Sequence, residues 1–120
     1  MNVLIVDDSA AMRMMIIKTL RQAGLNGHEF SQATDGAAAL EAIRKAPPDV
    51  VLCDWNMPNM TGIELLTTLR SEGIKVKFGF ITTETTGEMR QKAAAAGASF
   101  MVAKPFTVEA FQQALAPILQ

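Results

Sequence analysis

The chain of 120 residues holds one cysteine, one histidine and one tryptophan, and it has almost no net charge. Each scarcity excludes something. A single thiol, Cys53, cannot close an internal disulfide, so a reducing cytoplasm is the expected setting. Its place inside an apolar run suits a small buried residue better than a reactive thiol. The lone histidine, His28, has no metal-ligand spacing around it and reads as an ordinary surface residue. Eleven basic against twelve acidic residues leave a net charge of -1, with no basic stripe, which argues against a nucleic-acid surface. No apolar stretch approaches the roughly 20 residues of a membrane span. No basic-then-apolar leader opens the sequence, so neither a membrane partner nor export is expected. The length fits one domain, 1–120, with a core of its own.

What is present is a regular alternation. Short apolar runs read as strands at 2–6, 28–33, 49–54, 77–82 and 100–103. Between and after them, helical spacing predicts helices at 9–23, 36–45, 60–72, 86–96 and 107–119. Met12, Ile16, Leu20 and Ala23 keep that spacing, as do Val108, Phe111, Leu115 and Ile118. Gly24, Gly73 and Gly97 mark ends, Pro47-Pro48 stops the second helix, and Thr107 is a suitable N-cap with Glu109 in the turn it opens. Asp35 before Gly36 reads as a turn or cap residue. Runs such as Val3-Leu4-Ile5-Val6 and Val50-Val51-Leu52-Cys53 suit strands buried on both faces of a mostly parallel α/β sheet with helices on both sides. The strand at 28–33 is the most polar and suits an edge.

The chemistry sits where these runs stop. The first ends at Asp7-Asp8, the third at Asp54, and Met101-Val102-Ala103 at Lys104-Pro105. Parallel neighbouring strands would gather three carboxylates and one ammonium at one sheet edge. Ligands of such sheets bind at that edge, where the strand order reverses. Carboxylates so close repel and need compensation. An oxygen-seeking divalent cation supplies it, and Mg2+ is the usual choice where phosphate is handled.

Four segments in order carry a resemblance: Val6-Asp7-Asp8-Ser9, Asp54-Trp55-Asn56-Met57-Pro58-Asn59-Met60, Ile81-Thr82-Thr83-Glu84 and Ala103-Lys104-Pro105-Phe106. Together they resemble the receiver domain of bacterial two-component response regulators, most of all the single-domain chemotaxis regulators. The resemblance spans the whole chain. It implies a flavodoxin-like (βα)5 fold with strand order 2-1-3-4-5. It further implies a switch in which Asp54 accepts a phosphoryl group from a histidine kinase. Mg2+ would be held by Asp8 directly, by Asp7 directly or through water, by Asp54, and by the backbone carbonyl of Asn56. Lys104 would pair with a phosphoryl oxygen, and the Lys104–Pro105 bond would be cis. The charges close: three aspartates against Mg2+ and Lys104. A phosphoryl group of roughly -2 would upset that balance and drive the switch. Thr82 or Thr83 would answer it with a hydroxyl; spacing alone does not separate them, and the resemblance favours Thr82. Asn56 and Glu84 stand where the family adjusts hydrolysis of the acyl phosphate. Trp55 is expected to lie partly exposed beside the site, reporting on it by fluorescence.

The sequence departs from the family at several places. Where an aromatic residue often stands three positions before the lysine, this chain has Met101. Phe100 faces the other way and cannot replace it without a register shift. Met89, Met101, Phe100 and the run Ala93-Ala94-Ala95-Ala96 mark the expected partner face, although the alanines are equally explained by helix propensity. Thr61 replaces an acid, and Ala10 and Ala11 replace hydroxyl residues.

The expected function is therefore phosphorylation-controlled signalling by a monomer. It catalyses only its own phosphorylation and dephosphorylation and acts through protein contacts. The output partner would be a flagellar motor switch or, for a phosphorelay shuttle or phosphate sink, a histidine phosphotransfer domain. Three alternatives compete. An aspartyl-nucleophile phosphohydrolase of the haloacid-dehalogenase type needs an acid where Asn56 stands. A phosphate-independent binding module would be expected to lack an acid or the lysine. A flavin-binding relative would have its phosphate repelled by the acids.

Overall fold

The computed structural model describes residues 1–119. Five strands, β1 (Asn2–Val6), β2 (Glu29–Ala33), β3 (Val50–Cys53), β4 (Lys77–Thr82) and β5 (Phe100–Ala103), alternate with five helices. These are α1 (Ala10–Leu20), α2 (Gly36–Lys45), α3 (Gly62–Ser71), α4 (Gly87–Ala96) and α5 (Val108–Leu119). All strand pairs are parallel and the order is β2-β1-β3-β4-β5, so the polar β2 is indeed an edge.

Strands such as β1 and β3 look almost uniformly apolar in sequence, yet alternate residues serve two different cores, as the two-residue period requires. Val3, Ile5, Val50, Leu52, Ile81 and Val102 pack under α1 and α5, against Ile16, Leu20, Phe111 and Leu115. Leu4, Val6, Val51, Cys53, Phe78 and Phe80 pack on the opposite face, against α2 and α3. Both faces are covered, as parallel sheets require. Phe100 and Met101 obey the same rule: Phe100 lies against the α1/α5 core and Met101 against the other.

Helix ends follow local chemistry. Ser9, Asp35, Thr61 and Thr86 each cap a helix by accepting a backbone N–H, and Thr107 accepts one from Ala110 at 3.1 Å. At α3, Thr61 and Glu64 form a reciprocal capping box, so the helix begins at Gly62 rather than at Met60. Asn59, at φ 69, turns the chain ahead of it. Helix α1 stops at Leu20, short of the expected 23, because the chain widens into a π-type turn over Arg21–Leu25, with Gly24 at φ 112. Pro117 lies within α5, where its missing N–H leaves the carbonyl one turn earlier without a helical donor. No described helix is long and apolar enough to cross a membrane.

Candidate functional site

Register builds the site. Val6 pairs with Cys53 across β1 and β3, so the residues that follow, Asp7 and Asp54, leave neighbouring strand ends together. The Asp54 amide donates to Val6 O at 2.9 Å and the Asp7 amide to Ala33 O at 3.2 Å, which extends the ladder to both. On the other flank Thr82 pairs with Ala103, and the Lys104 amide donates to Thr82 O at 2.8 Å. The Lys104–Pro105 peptide is cis.

The side chains converge. One oxygen each from Asp7, Asp8 and Asp54 lies within 4.8 Å of the others. Asp7 is buried, Asp8 exposed and Asp54 between them. Lys104 Nζ stands 3.2 Å from Asp7 Oδ2 and 3.5 Å from Asp54 Oδ2, so one ammonium bridges two carboxylates. The other Asp7 oxygen accepts from the Ser9 amide at 2.9 Å, and Asp54 Oδ1 from the Asn56 amide at 3.4 Å. Burial raises the Asp54 pKa above that of an ordinary aspartate; Lys104 pulls it back and Asp7 pushes it up again. A carboxylate that resists ionisation because of its neighbours is a group waiting for positive charge. Three converging carboxylates are hard oxygen donors, and they fit a small divalent cation such as Mg2+.

Several expectations change here. Trp55 is not partly exposed: it retains 9% exposure, and its ring lies 4.7 Å from Phe80. The large apolar ring folds back onto the core while its backbone leaves the sheet. His28 is half-buried rather than simply exposed, and its Nδ1 lies 2.6 Å from the N-terminal amine. Asp35 does cap α2, by accepting from the Ala38 amide at 2.8 Å. The two threonines are now distinct. Thr82 is fully buried and its hydroxyl accepts from the Glu84 amide at 3.3 Å. Thr83 is exposed and lines a 290 Å³ cleft with Met12, Met15, Lys104, Pro105 and Phe106. Cys53 is buried, and desolvation first, then the Asp54 charge, push its thiol pKa well up, so it stays neutral. On the expected partner face Met89 and Met101 are partly buried, and of the alanine run Ala93 enters the core while Ala94 and Ala95 face out.

Sequence reasoning missed Arg13. It is buried in the opening turns of α1, and its guanidinium donates to Asp7 O at 2.6 Å. Helical periodicity assigns it no partner, because its partners lie on strands distant in sequence or on the turn before its helix.

The comparisons agree with this geometry. The family model described as response regulator receiver domain matches residues 3–116. A chemotaxis protein CheY-3 of Vibrio cholerae is 38% identical over all of this chain and 92% of its own length. A chemotaxis protein CheY of Pseudomonas aeruginosa is 36% identical, covering 100% and 97%. Among solved structures, Vibrio cholerae CheY4 superposes with TM-score 0.85 at 39% identity, covering 98% and 97%. The receiver domain of Francisella response regulator 1452 superposes with TM-score 0.86 at 26% identity, covering 98% and 94%. With parallel strands in the order 2-1-3-4-5 and an acidic pocket at the reversal point, this chain belongs to the response regulator receiver domain family.

Proposed function

We propose that Asp54 is the phosphoacceptor of a chemotaxis-type signalling switch, with a sensor histidine kinase as donor. One observation carries the assignment. Of the three clustered acids, Asp54 is the one that is both ion-paired to Lys104 and partly open to solvent, and its surroundings raise its pKa. A carboxylate oxygen of Asp54 attacks the phosphorus. The bond from phosphorus to the histidine nitrogen breaks, its electron pair stays on the imidazole, and an acyl phosphate remains. Asp7, Asp8, Asp54 and the Asn56 carbonyl would hold Mg2+, which would supply charge neutralisation for the phosphoryl oxygens. Lys104, already placed against Asp54, moves its ammonium onto a phosphoryl oxygen. Hydrolysis reverses the modification: water attacks phosphorus, the bond to Asp54 breaks, and the carboxylate and inorganic phosphate separate. The chain acts catalytically on itself alone.

The switch follows from crowding. A phosphoryl group adds charge to a pocket that already holds three acids, and a hydroxyl at the end of β4 is a donor that can answer it. Thr82 gives up its bond from the Glu84 amide and turns its O–H toward the phosphoryl group, drawing in the loop before α4. Met101 packs on the same side of the sheet as Thr82 and transmits the shift to the face of α4, β5 and α5. The output is protein contact on that face, and the full-length similarity to chemotaxis proteins supports a motor-switch type of target. Intact mass after treatment with Mg2+ and acetyl phosphate tests the reading. A single Mg2+-dependent phosphoryl adduct is expected, absent in Asp54→Asn. No adduct under rapid quenching, with kinase also tried as donor, would sink it.

A further inference from the structure

Among the described residues three polar or charged side chains are buried: Asp7, Thr82 and Arg13. The first two belong to the acidic pocket and its switch. Arg13 is the unexpected one, because arginine is almost never buried without a partner. Burying a cation is costly and normally calls for a carboxylate at hydrogen-bond distance. The partners of Arg13 are neutral. Nη1 donates to the main-chain carbonyl of Asp7 at 2.6 Å, and Nε donates to Gln32 Oε1 at 2.8 Å. One side chain thus joins α1, the turn after β1, and the edge strand β2.

The carbonyl it grips belongs to the peptide between Asp7 and Asp8. The orientation of that peptide sets where both carboxylates point. We infer that Arg13 is a positioning residue for the acidic cluster: it clamps the Asp7–Asp8 peptide against β2, so that both carboxylates meet Asp54 around one divalent cation. The inference rests on the cation-assisted phosphoryl acceptance proposed above. Two effects of Arg13 oppose each other. Its charge repels a metal ion, while its hydrogen bonds assemble ligands that would otherwise splay apart. The delocalised guanidinium spends its donors on two neutral oxygens in fixed directions, which is the geometry of a brace.

Mg2+ titration of the protein, followed by Trp55 fluorescence, separates the effects. Gln32→Leu removes the far anchor and leaves every charge in place. Arg13→Gln removes clamp and charge together, and Arg13→Lys keeps the charge with one donor group in place of the fork. The brace predicts a Mg2+ dissociation constant raised about tenfold in Arg13→Gln, despite the loss of a repelling cation, with a smaller rise in Gln32→Leu and partial rescue in Arg13→Lys. It also predicts faster hydrogen exchange at the Ser9 amide, which bonds Asp7, in the metal-free variants. Mg2+ affinity that is equal or tighter in Arg13→Gln would overturn the inference. If that variant does not fold, exposed Gln32 decides: unchanged Mg2+ affinity and Ser9 exchange in Gln32→Leu overturn it. Native protein that takes up neither Mg2+ nor a phosphoryl group would instead overturn the functional reading beneath it.

Discussion

Asp54 concentrates the conflict between stability and function. Asp54 and Asp7 share one bridging lysine, and burial holds the Asp54 pKa above its ordinary value. The folded chain therefore binds the Asp54 proton more tightly than the unfolded chain does. Its ionised form costs stability at neutral pH, and the cost fades as pH falls through the raised pKa. Asp54→Asn should accordingly be more stable than the native protein at pH 7 without metal, by on the order of 1 kcal/mol, because Lys104 keeps Asp7 as partner. Thermal melts should show the gap closing as pH is lowered through that pKa. A less stable variant at neutral pH would mean that the Lys104–Asp54 pair outweighs the crowding. At the same scale, Cys53 should resist aromatic disulfide reagents until the chain unfolds, since the buried thiol is neutral.

At the scale of elements, the pocket depends on how closely neighbours approach. A Cβ added to Gly79 would lie 2.1 Å from the Phe100 ring across the β4–β5 pair. Gly79→Ala should cost about 1–3 kcal/mol by overpacking. A Phe100→Leu background should recover part of it, since both changes act on one contact; denaturant midpoints of the double-mutant cycle measure this. Gly62 is stricter, because an added Cβ would meet the Asp54 backbone oxygen at 2.5 Å, and backbone cannot step aside. The capping box at Thr61 gives a milder case. Thr61→Ala should lower stability by about 1 kcal/mol in urea denaturation, with the acidic cluster intact. Thr61 thus has a structural duty of its own: it starts α3 directly behind the loop that follows Asp54.

For the whole molecule, metal binding and folding are linked. A cation bound by the assembled cluster stabilises the folded state alone, because unfolding separates Asp7 and Asp8 from Asp54. Mg2+ at about 100 times its dissociation constant should add about 2.7 kcal/mol of stability, and chelation should remove it. Calorimetry with Mg2+ and with EDTA checks this, and Asp54→Asn should show a smaller gain.

Much of this was legible in the chain. The apolar runs, the glycine and proline stops and the cap residues are local signals, and they placed every strand and helix to within a few residues. The acids after β1 and β3 and the lysine after β5 were legible because strand ends carry their residues to a common edge once the sheet is parallel. Other features depend on contacts between segments far apart in sequence. Trp55 turned inward because Phe80, from the neighbouring strand, offered a face to pack on. Thr82 and Thr83 are chemically equal in sequence, and only the pleat of β4 buries one and exposes the other. Nothing in the spacing of α1 marks Arg13; the fold brings Gln32 and the Asp7 carbonyl to it. By itself the sequence determined the elements and the identity of the reactive groups, because spacing and side-chain chemistry are local. The tertiary structure decided which groups are desolvated, braced or free to move, because burial and charge coupling exist only after distant segments have met.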